Sequence, residues 1–146
     1  MGEGARVRLK VRYYEVDSYG HVNHANYVHY FEVGRVEALA SLGLGLEEMR
    51  QLGYLLVATD LSVRFLAPAR SGDTLEIVTY IREIQGARTR WVQEARSTAD
   101  ARVLATAEVT GAFITEAGRP VRIPEAFRQK LSTLHVQDGA AGSVST

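Results

Sequence analysis

The residues best suited to chemistry lie close together in one short stretch, residues 13–35. Asp17 comes first, Gly20 follows, and His21 and His24 come within the next four positions. A carboxylate such as that of Asp17 can attack an electrophilic carbon directly or act as a general base on water. The order of residue types indicates a strand end, an active-site loop and a helix N-terminus in succession.

A helix that begins beside this carboxylate would supply the second half of such a site. Apolar residues recur at three- and four-residue steps from His24 to about Leu42, and Asn23 is a suitable N-cap. The first N–H groups of a helix have no partner within it and carry the positive end of its dipole. Those near His24, Ala25 and Asn26 are therefore predicted to stabilise an oxyanion formed near Asp17.

Each of these residues also has a purely structural interpretation. Asp17 can serve as a turn residue whose side chain hydrogen-bonds its own loop. His24 can pack at the helix start, or its imidazole can hydrogen-bond a substrate oxygen or Asp17 of either chain. His21 and His29 are expected on the loop and helix surfaces. Because the histidines lack the i, i+4 spacing of a helical zinc site, no metal is predicted.

Composition restricts the class of protein. The 146 residues suit one domain. The sequence contains no run of eighteen apolar residues, so no membrane insertion is predicted. Seventeen basic and seventeen acidic residues give zero net charge, which argues against broad nucleic-acid binding. The absence of cysteine excludes disulfides, Cys-ligated metals and a Cys nucleophile. The N-terminus lacks the apolar stretch of a signal peptide, so we expect a cytoplasmic protein.

The pattern along the chain predicts a single α+β domain. Alternation over residues 6–14 indicates a half-buried strand. The later elements are a short helix, four long strands with short connections and a terminal helix, which favours an antiparallel sheet. These elements are predicted at residues 46–52, 54–66, 74–84, 88–98, 103–115 and 124–134. The domain is expected to occupy residues 1–136, followed by a disordered tail at 137–146.

The motifs of this chain resemble those of a known family. Asp17-Ser-Tyr-Gly-His-Val-Asn-His-Ala-Asn-Tyr27 is followed by Tyr30-Phe-Glu32 and Arg35-Val-Glu37, and a second block covers residues 61–73. Together they resemble the hotdog-fold acyl-CoA thioesterases. The closer resemblance is to the branch that contains 4-hydroxybenzoyl-CoA thioesterase and the Tol–Pal-associated acyl-CoA thioesterase. It extends over roughly residues 7–128.

The resemblance implies a hotdog domain, in which a five-stranded antiparallel sheet wraps around one long helix. It also implies homodimers with a continuous sheet, often paired into homotetramers, with active sites at the dimer interface. One helix cannot cover both faces of such a sheet, which independently favours a partner chain. Asp17 matches the family's catalytic aspartate, and His24 matches a histidine of one branch. Glu15 stands where many members have a second aspartate.

The function implied is hydrolysis of an acyl-CoA thioester to a free acid and coenzyme A. Asp17 would be the nucleophile or the general base, and the backbone N–H groups at the helix start would stabilise the oxyanion. No cofactor is expected. One alternative is a non-catalytic hotdog protein that binds an acyl thioester or an acyl carrier protein. Another is a hotdog 3-hydroxyacyl dehydratase, in which a His and an acid move a proton and water.

Further residues are candidates for substrate binding. Tyr14 and Tyr27 are predicted to line the acyl or thioester pocket. Thr59 and Asp60 lie where the second strand of a similar protein would pass the pantetheine arm. Two cations on a later strand, Arg88 and Arg90, are candidates for the CoA phosphates, which suit arginine geometry. A solvated strand face explains these two arginines equally well.

Overall fold

The computed structural model describes residues 4–135, and the tail predicted at 137–146 lies outside them. Every strand and helix predicted from the pattern is present, with ends shifted by a few residues. The strands are β1 Ala5–Lys10, β2 Tyr54–Phe65, β3 Thr74–Gln85, β4 Arg88–Ser97 and β5 Val103–Thr115. The helices are α1 His24–Ser41, α2 Leu46–Gln51 and α3 Glu125–Leu131, with 3₁₀ turns at Tyr13–Glu15 and Ser132–Leu134.

The five strands form one antiparallel sheet in the order β1-β3-β4-β5-β2. The predicted five-stranded antiparallel sheet of an α+β domain is therefore confirmed. β1 and β2 are the two edges of this sheet. β1 is short and alternates three exposed cations, Arg6, Arg8 and Lys10, with half-buried apolar residues. β2 has twelve residues, most of them exposed.

The helices do not match the expected picture of a sheet wrapped around one long helix. α1 has 18 residues, and two shorter helices of six and seven residues accompany it. α1 lies against β1, β3 and β4, whereas α2 lies against β2. The chain leaves α1 at Gly43, whose φ of +75° suits glycine and ends the helix. In residues 4–135, no helix is long and apolar enough to cross a membrane.

Close packing at Gly34 fixes the height of α1 above the sheet. A Cβ atom at this position would lie 2.6 Å from Cγ2 of Ile77 and 2.9 Å from Nε2 of Gln93. The Gln93 amide, on β4, donates to the carbonyl oxygen of Phe31 at 2.8 Å. It donates also to the hydroxyl of Thr79 at 2.9 Å. The helix is therefore held to the sheet by contact and by a buried hydrogen bond.

Arg35 is placed differently from its expected position. Arg35 interrupts the apolar stripe of α1, a pattern that predicts a guanidinium in solvent, but this group donates to Oε1 of Gln93 at 3.0 Å and is half-buried. Burial lowers the pKa of Arg35, and the neighbouring carboxylate of Glu32 partly opposes this shift. The alternation of the helix pattern could not reveal this, because Gln93 lies 58 residues away in sequence.

Two apolar clusters lie along α1, one at each end. The first surrounds the N-terminal half of the helix and the start of the loop between β1 and α1. Its members include Val11, Val22, Tyr27, Tyr30, Phe31, Leu75 and Ile77. The second surrounds the C-terminal half and is shared with α2, α3 and the far end of the sheet. Its members include Leu39, Met49, Ile81, Trp91, Phe113 and Leu131.

Candidate active site

The loop between β1 and α1 is shaped by hydrogen bonds within itself. β1 ends at Lys10, earlier than predicted, and residues 13–15 form a 3₁₀ turn. The N–H of Asp17 donates to the carbonyl oxygen of His21 at 2.8 Å, and the N–H of Gly20 donates to that of Asp17 at 2.9 Å. Gly20 has φ of +79°, which a residue with a side chain adopts only with strain. The loop therefore returns tightly to the helix start.

The Asp17 carboxylate uses one oxygen to shape the loop and leaves the other available. Its Oδ1 accepts hydrogen bonds from the N–H of Tyr19 at 2.9 Å and of His21 at 3.3 Å. Among residues 4–135, no group donates to Oδ2. The structural interpretation of Asp17 as a turn residue is thus correct, and it does not exclude chemistry. The two backbone donors orient the carboxylate so that one exposed oxygen faces outward.

The helix start supplies one free backbone donor. Asn23 is the N-cap, and its Oδ1 accepts the N–H of Ala25 at 2.9 Å. The carbonyl oxygen of Asn23 accepts the N–H of Asn26 at 3.0 Å. Within the described residues, the N–H of His24 has no hydrogen-bond acceptor.

This arrangement corrects the prediction for Ala25, whose N–H was expected to face the substrate. It is occupied by the cap instead. The signal was present in the sequence, since an N-cap side chain accepts from the second or third N–H of its helix. Ala25 is the second residue of α1, so recognising Asn23 as the cap already predicted this bond. The free donor is the N–H of His24.

The imidazole of His24 lies on the surface against an aromatic ring of β2. Its ring centroid is 4.4 Å from that of Phe65, with the planes inclined by 24°. Phe65 is itself 45% exposed and lies edge-on to Tyr27 at 5.6 Å. Within residues 4–135, this imidazole makes no hydrogen bond to Asp17. Phe65 was not predicted as a site residue, and only its position in the second motif block pointed to it.

The connection between β2 and β3 supports the loop from the other side. The N–H of Val22 donates to the carbonyl oxygen of Ala69 at 2.8 Å, and His21 pairs with Arg70 in an antiparallel bridge. The Arg70 guanidinium lies 3.5 Å from Nε2 of His21. The two sequence motifs therefore meet in space. Arg70 adds a cation beside Asp17's loop.

The two tyrosines predicted to line a pocket have very different surroundings. Tyr14 is 67% exposed and packs edge-on against Tyr13, beside a shallow groove that includes Arg12 and Gly72. Tyr27 is 3% exposed and belongs to the first apolar cluster, so its hydroxyl does not face an open pocket. Burial raises the pKa of Tyr27, and the charge of Asp73 adds to this shift.

The remaining predicted contacts lie away from Asp17 within one protomer. Thr59 marks a bulge in β2, and its hydroxyl donates to the carbonyl oxygen of Thr110 at 3.2 Å. Asp60 follows, five residues before Phe65, which corresponds to roughly 17 Å along a strand.

Arg88 and Arg90 are similarly distant. Ala95 of β4 is aligned through β5 with Phe65, so Arg90 lies five residues, or roughly 17 Å, from the strand position beside the site. Both arginines alternate with Trp91, which packs into the second apolar cluster. They therefore project from the opposite face of the sheet, and one protomer does not bring them to the catalytic loop.

A separate cleft of about 120 Å³ lies between α1 and β2. Its walls are mostly apolar and include Leu39, Leu56, Trp91 and Val109, and Glu32 and Arg35 form the polar side. Arg35 is eleven residues beyond His24, which is roughly 16 Å along a helix. The cleft is thus distinct from the loop that carries Asp17.

The site contains a carboxylate with one free oxygen, in a loop that leads into a helix N-terminus with one free N–H. These are the two elements that acyl transfer from an activated carbonyl requires, a nucleophile or base and an oxyanion donor. In residues 4–135, no group of three His, Asp or Glu side chains is arranged to hold a metal ion. The chemistry that this geometry supports is attack on an acyl carbon.

Comparison with known proteins identifies the family. Residues 11–131 match the model of the Thioesterase-like superfamily. The chain is 34% identical over 140 residues to the chloroplastic acyl-acyl carrier protein thioesterase ATL3 of Arabidopsis thaliana. This alignment covers 96% of this chain and 74% of the relative. It is 33% identical over 85 residues to the putative acyl-CoA thioesterase YneP of Bacillus subtilis, covering 58% of this chain and 62% of that protein.

The fold agrees with this family. A hypothetical protein from Thermus thermophilus has a crystal structure that aligns with a TM-score of 0.82 at 30% identity, over 92% of this chain and 99% of its own. The family match, the named relatives and the hotdog-like fold together identify a thioester hydrolase. The chain belongs to the Thioesterase-like superfamily.

Proposed function

We propose that this protein is an acyl-CoA thioesterase, which hydrolyses an acyl-CoA thioester to a free acid and coenzyme A. The observation that carries the proposal is that Asp17, with its free Oδ2, lies in the loop that leads into the helix start, where the N–H of His24 is free. Both groups are held by backbone hydrogen bonds, Asp17 through its loop and His24 through the capped helix start. The similarity to a putative acyl-CoA thioesterase of Bacillus subtilis supports coenzyme A as the carrier.

Asp17 has two routes to the same products. As a nucleophile, it attacks the thioester carbon, the C–S bond breaks, the CoA thiolate leaves, and water hydrolyses the resulting anhydride. As a general base, it takes a proton from water as that water attacks the thioester carbon. In both routes the carbonyl oxygen becomes negative, and the N–H of His24 stabilises it at the positive end of α1. Removing one such donor typically costs about 10²–10³ in rate.

The active unit is proposed to be a homodimer paired along β2, or a homotetramer built from such dimers. β2 is a long edge strand, and large apolar residues on it, Val57, Leu61 and Phe65, are exposed. The neighbouring face of α1 exposes Val28 and Val33. An unpaired edge beside an exposed apolar face is a site for strand pairing with another chain. Size-exclusion chromatography with light scattering measures this directly, and a lone monomer contradicts it.

The predicted contacts of the pantetheine arm and phosphates are retained as part of this proposal. Asp60 and Arg90 lie roughly 17 Å from the site along their strands, and Thr59 and Arg88 lie farther along, at roughly 20 and 23 Å. Coenzyme A extends far from its thioester through a long arm, so residues at this range suit the arm and nucleotide better than the reacting carbon. Tyr14 is exposed beside the loop and suits the thioester end.

An acyl carrier protein is a second candidate for the substrate's carrier. The observation that favours it is the similarity, over 96% of this chain, to a chloroplastic acyl-acyl carrier protein thioesterase. Both carriers present the acyl group on the same phosphopantetheine arm, so the chemistry at Asp17 is unchanged. Parallel assays with one acyl group on both carriers separate the two substrates by kcat/KM.

The decisive experiment is a thiol-release assay over short, long and aromatic acyl-CoAs. Asp17→Asn is expected to lower kcat by at least about 10²-fold because the amide neither attacks nor accepts the proton. Asp100→Asn is the matched control, since Asp100 also accepts a backbone N–H in an exposed turn, that of Arg102 at 3.1 Å, but lies outside the loop that carries Asp17. A wild-type protein silent on every substrate, or an Asp17→Asn variant with full rate, overturns the proposal.

A single turnover in ¹⁸O-labelled water distinguishes the two routes. Label recovered in the Asp17 carboxylate establishes the anhydride, because water then attacks at the enzyme's own acyl carbon. Label recovered only in the product acid favours the general-base route.

A further inference from the structure

Glu15 is a buried carboxylate two residues before Asp17, and the reaction proposed above does not use it. It is 9% exposed. Its Oε1 accepts the backbone N–H of Arg12 at 2.9 Å and the hydroxyl of Tyr30 at 2.7 Å. The Arg12 guanidinium lies 3.8 Å from the other oxygen. A charge is buried at this depth only when donors compensate its lost hydration, and here three groups do so.

The backbone of Glu15 is tied to the helix as well. Its carbonyl oxygen accepts the N–H of Asn23 at 3.0 Å and the Nδ2 amide of Asn26 at 2.9 Å. Tyr30 is on the second turn of α1 and is 3% exposed within the first apolar cluster. Glu15 therefore contacts the first turn of α1 through its carbonyl and the second turn through its side chain.

The loop beyond this point has few attachments of its own to the helix. Between Glu15 and Asn23 the chain closes on itself, through the Val16–Val22 bridge and the Asp17 N–H bond to His21. The loop joins the rest of the molecule at His21 and Val22, which pair with Arg70 and Ala69, and at its two ends, and these joints set its orientation. One of those joints is Glu15.

We propose that Glu15 is a positioning residue, which holds the Asp17 loop in register with the start of α1 by bonding Tyr30 and the backbone of Arg12. This proposal rests on the proposed function, since it concerns the alignment of Asp17 with the N–H of His24. Glu15 directs its carboxylate toward Tyr30 in the core. Burial and the hydrogen bond to Glu15 both raise the pKa of Tyr30, so its hydroxyl remains a donor across the working range of pH.

The test compares variants that keep or remove the acceptor. Glu15→Gln retains an oxygen that accepts from Tyr30 and Arg12, and we expect kcat within about fivefold of wild type. Glu15→Ala removes both bonds, and a displacement near 1 Å can cost about 10²-fold in rate, so we expect kcat to fall by about 10–100-fold. The KM for acyl-CoA is expected to change by less than about threefold, because Glu15 does not face the substrate. Tyr30→Phe is expected to lie between the two.

Two further measurements separate positioning from other roles. In an Asp17→Asn background, Glu15→Ala is expected to cause no further loss of rate, since there is no carboxylate left to align. Glu94→Ala is the matched control, because Glu94 is also a buried carboxylate, 2% exposed and paired with Arg96, and it projects from the sheet face opposite α1. It should lower the melting temperature without lowering the kcat of folded protein.

Three outcomes overturn the inference. If Glu15→Gln is as inactive as Glu15→Ala, or the pH–rate profile loses a limb, Glu15 is itself an acid or base. If Glu15→Ala lowers only the melting temperature, its role is structural. If it lowers the residual rate of Asp17→Asn as much as that of wild type, it does not act through Asp17. Failure of the proposed function is a separate result, seen when Asp17→Asn alone retains full rate.

Discussion

Both ends of α1 pack against an apolar cluster, but the N-terminal end also carries a set of directional hydrogen bonds. At the N-terminal end, directional bonds fix the loop and the helix start, among them those of Glu15, Asn23 and Asp17. At the C-terminal end, the helix meets α2, α3 and the sheet through the second apolar cluster, which includes Phe113 and Trp91. Directional bonds set geometry and contribute about 0.5–1.5 kcal/mol each, whereas apolar burial contributes most of the stability without fixing angles.

This difference indicates that activity and stability can be altered separately. Substitutions that remove the directional bonds at the N-terminal end of α1 should lower the rate strongly and the free energy of unfolding only slightly. Substitutions in the second apolar cluster, at the C-terminal end of α1, should lower the free energy of unfolding strongly and the rate only slightly. The three predictions that follow test this separation, beginning with the largest expected effect.

Phe113→Ala should destabilise the second apolar cluster, at the C-terminal end of α1. Phe113 is 1% exposed, and its ring contacts those of Tyr54 at 5.1 Å and Phe127 at 5.8 Å. Replacing a buried Phe by Ala typically costs about 3–5 kcal/mol, and urea denaturation should show a loss of this size. The kcat per folded molecule should stay within about twofold of wild type, with Asp17→Asn as the opposite case. A tenfold fall in kcat at full folding would show that the two ends are coupled.

Asn23→Ala sharpens the comparison, because it removes a cap and frees an N–H in one step. Loss of the N-cap should lower the free energy of unfolding by about 1 kcal/mol. The N–H of Ala25 then becomes available, but the N–H of His24 already faces the site, so kcat should change by less than about tenfold. Asn23→Ser keeps a cap and serves as the control. A loss near 10³-fold in Asn23→Ala with Asn23→Ser active would assign the Asn23 side chain a direct part in the reaction.

Alkaline pH should lower the free energy of unfolding through Tyr30, at the N-terminal end of α1, by less than either substitution above. The pKa of Tyr30 is raised by burial and by Glu15, above its usual value of about 10. The unfolded chain therefore releases this proton first, so the stabilisation is fully present below about pH 10 and is lost as pH rises toward the folded pKa. Half a pH unit beyond 10 removes at most about 0.7 kcal/mol. Urea midpoints between pH 8 and 10.5 should fall less steeply in Tyr30→Phe, and equal slopes would contradict the assignment.

The strands and helices were predicted well from the sequence, because burial of one face of an element requires apolar residues at regular spacing along the chain. Alternation placed Ala105, Ala107, Val109, Gly111 and Phe113 on one face of β5, and all five are buried. The helix predicted from His24 to about Leu42 ends at Ser41. These features depend on which face meets the core, and local sequence records that directly.

The individual hydrogen bonds of the site were less predictable. The sequence indicated that Asp17 lies in a loop that leads into a helix starting at His24, and the structure has this order of elements. It assigned Ala25 a free N–H that Asn23 occupies, and it assigned Tyr27 to a pocket although it lies in the core. It could not show that Glu15 bonds Tyr30, since the same residues allow many pairings. The periodic pattern of apolar residues shows which face of a strand or helix is buried. The acceptor of each hydrogen-bond donor depends instead on distances in the folded structure.

The unequal edges of the sheet affect how the proposed assembly stops growing. Pairing along β2 joins two sheets through a two-fold axis and uses up that edge in both copies. The outer edges of the resulting sheet are then the two β1 strands, which are short and carry exposed Arg6, Arg8 and Lys10. Charged, short edges disfavour further strand addition. Lengthening β1 or neutralising these three cations should therefore make the protein prone to open-ended fibres, although no part of the active site has changed.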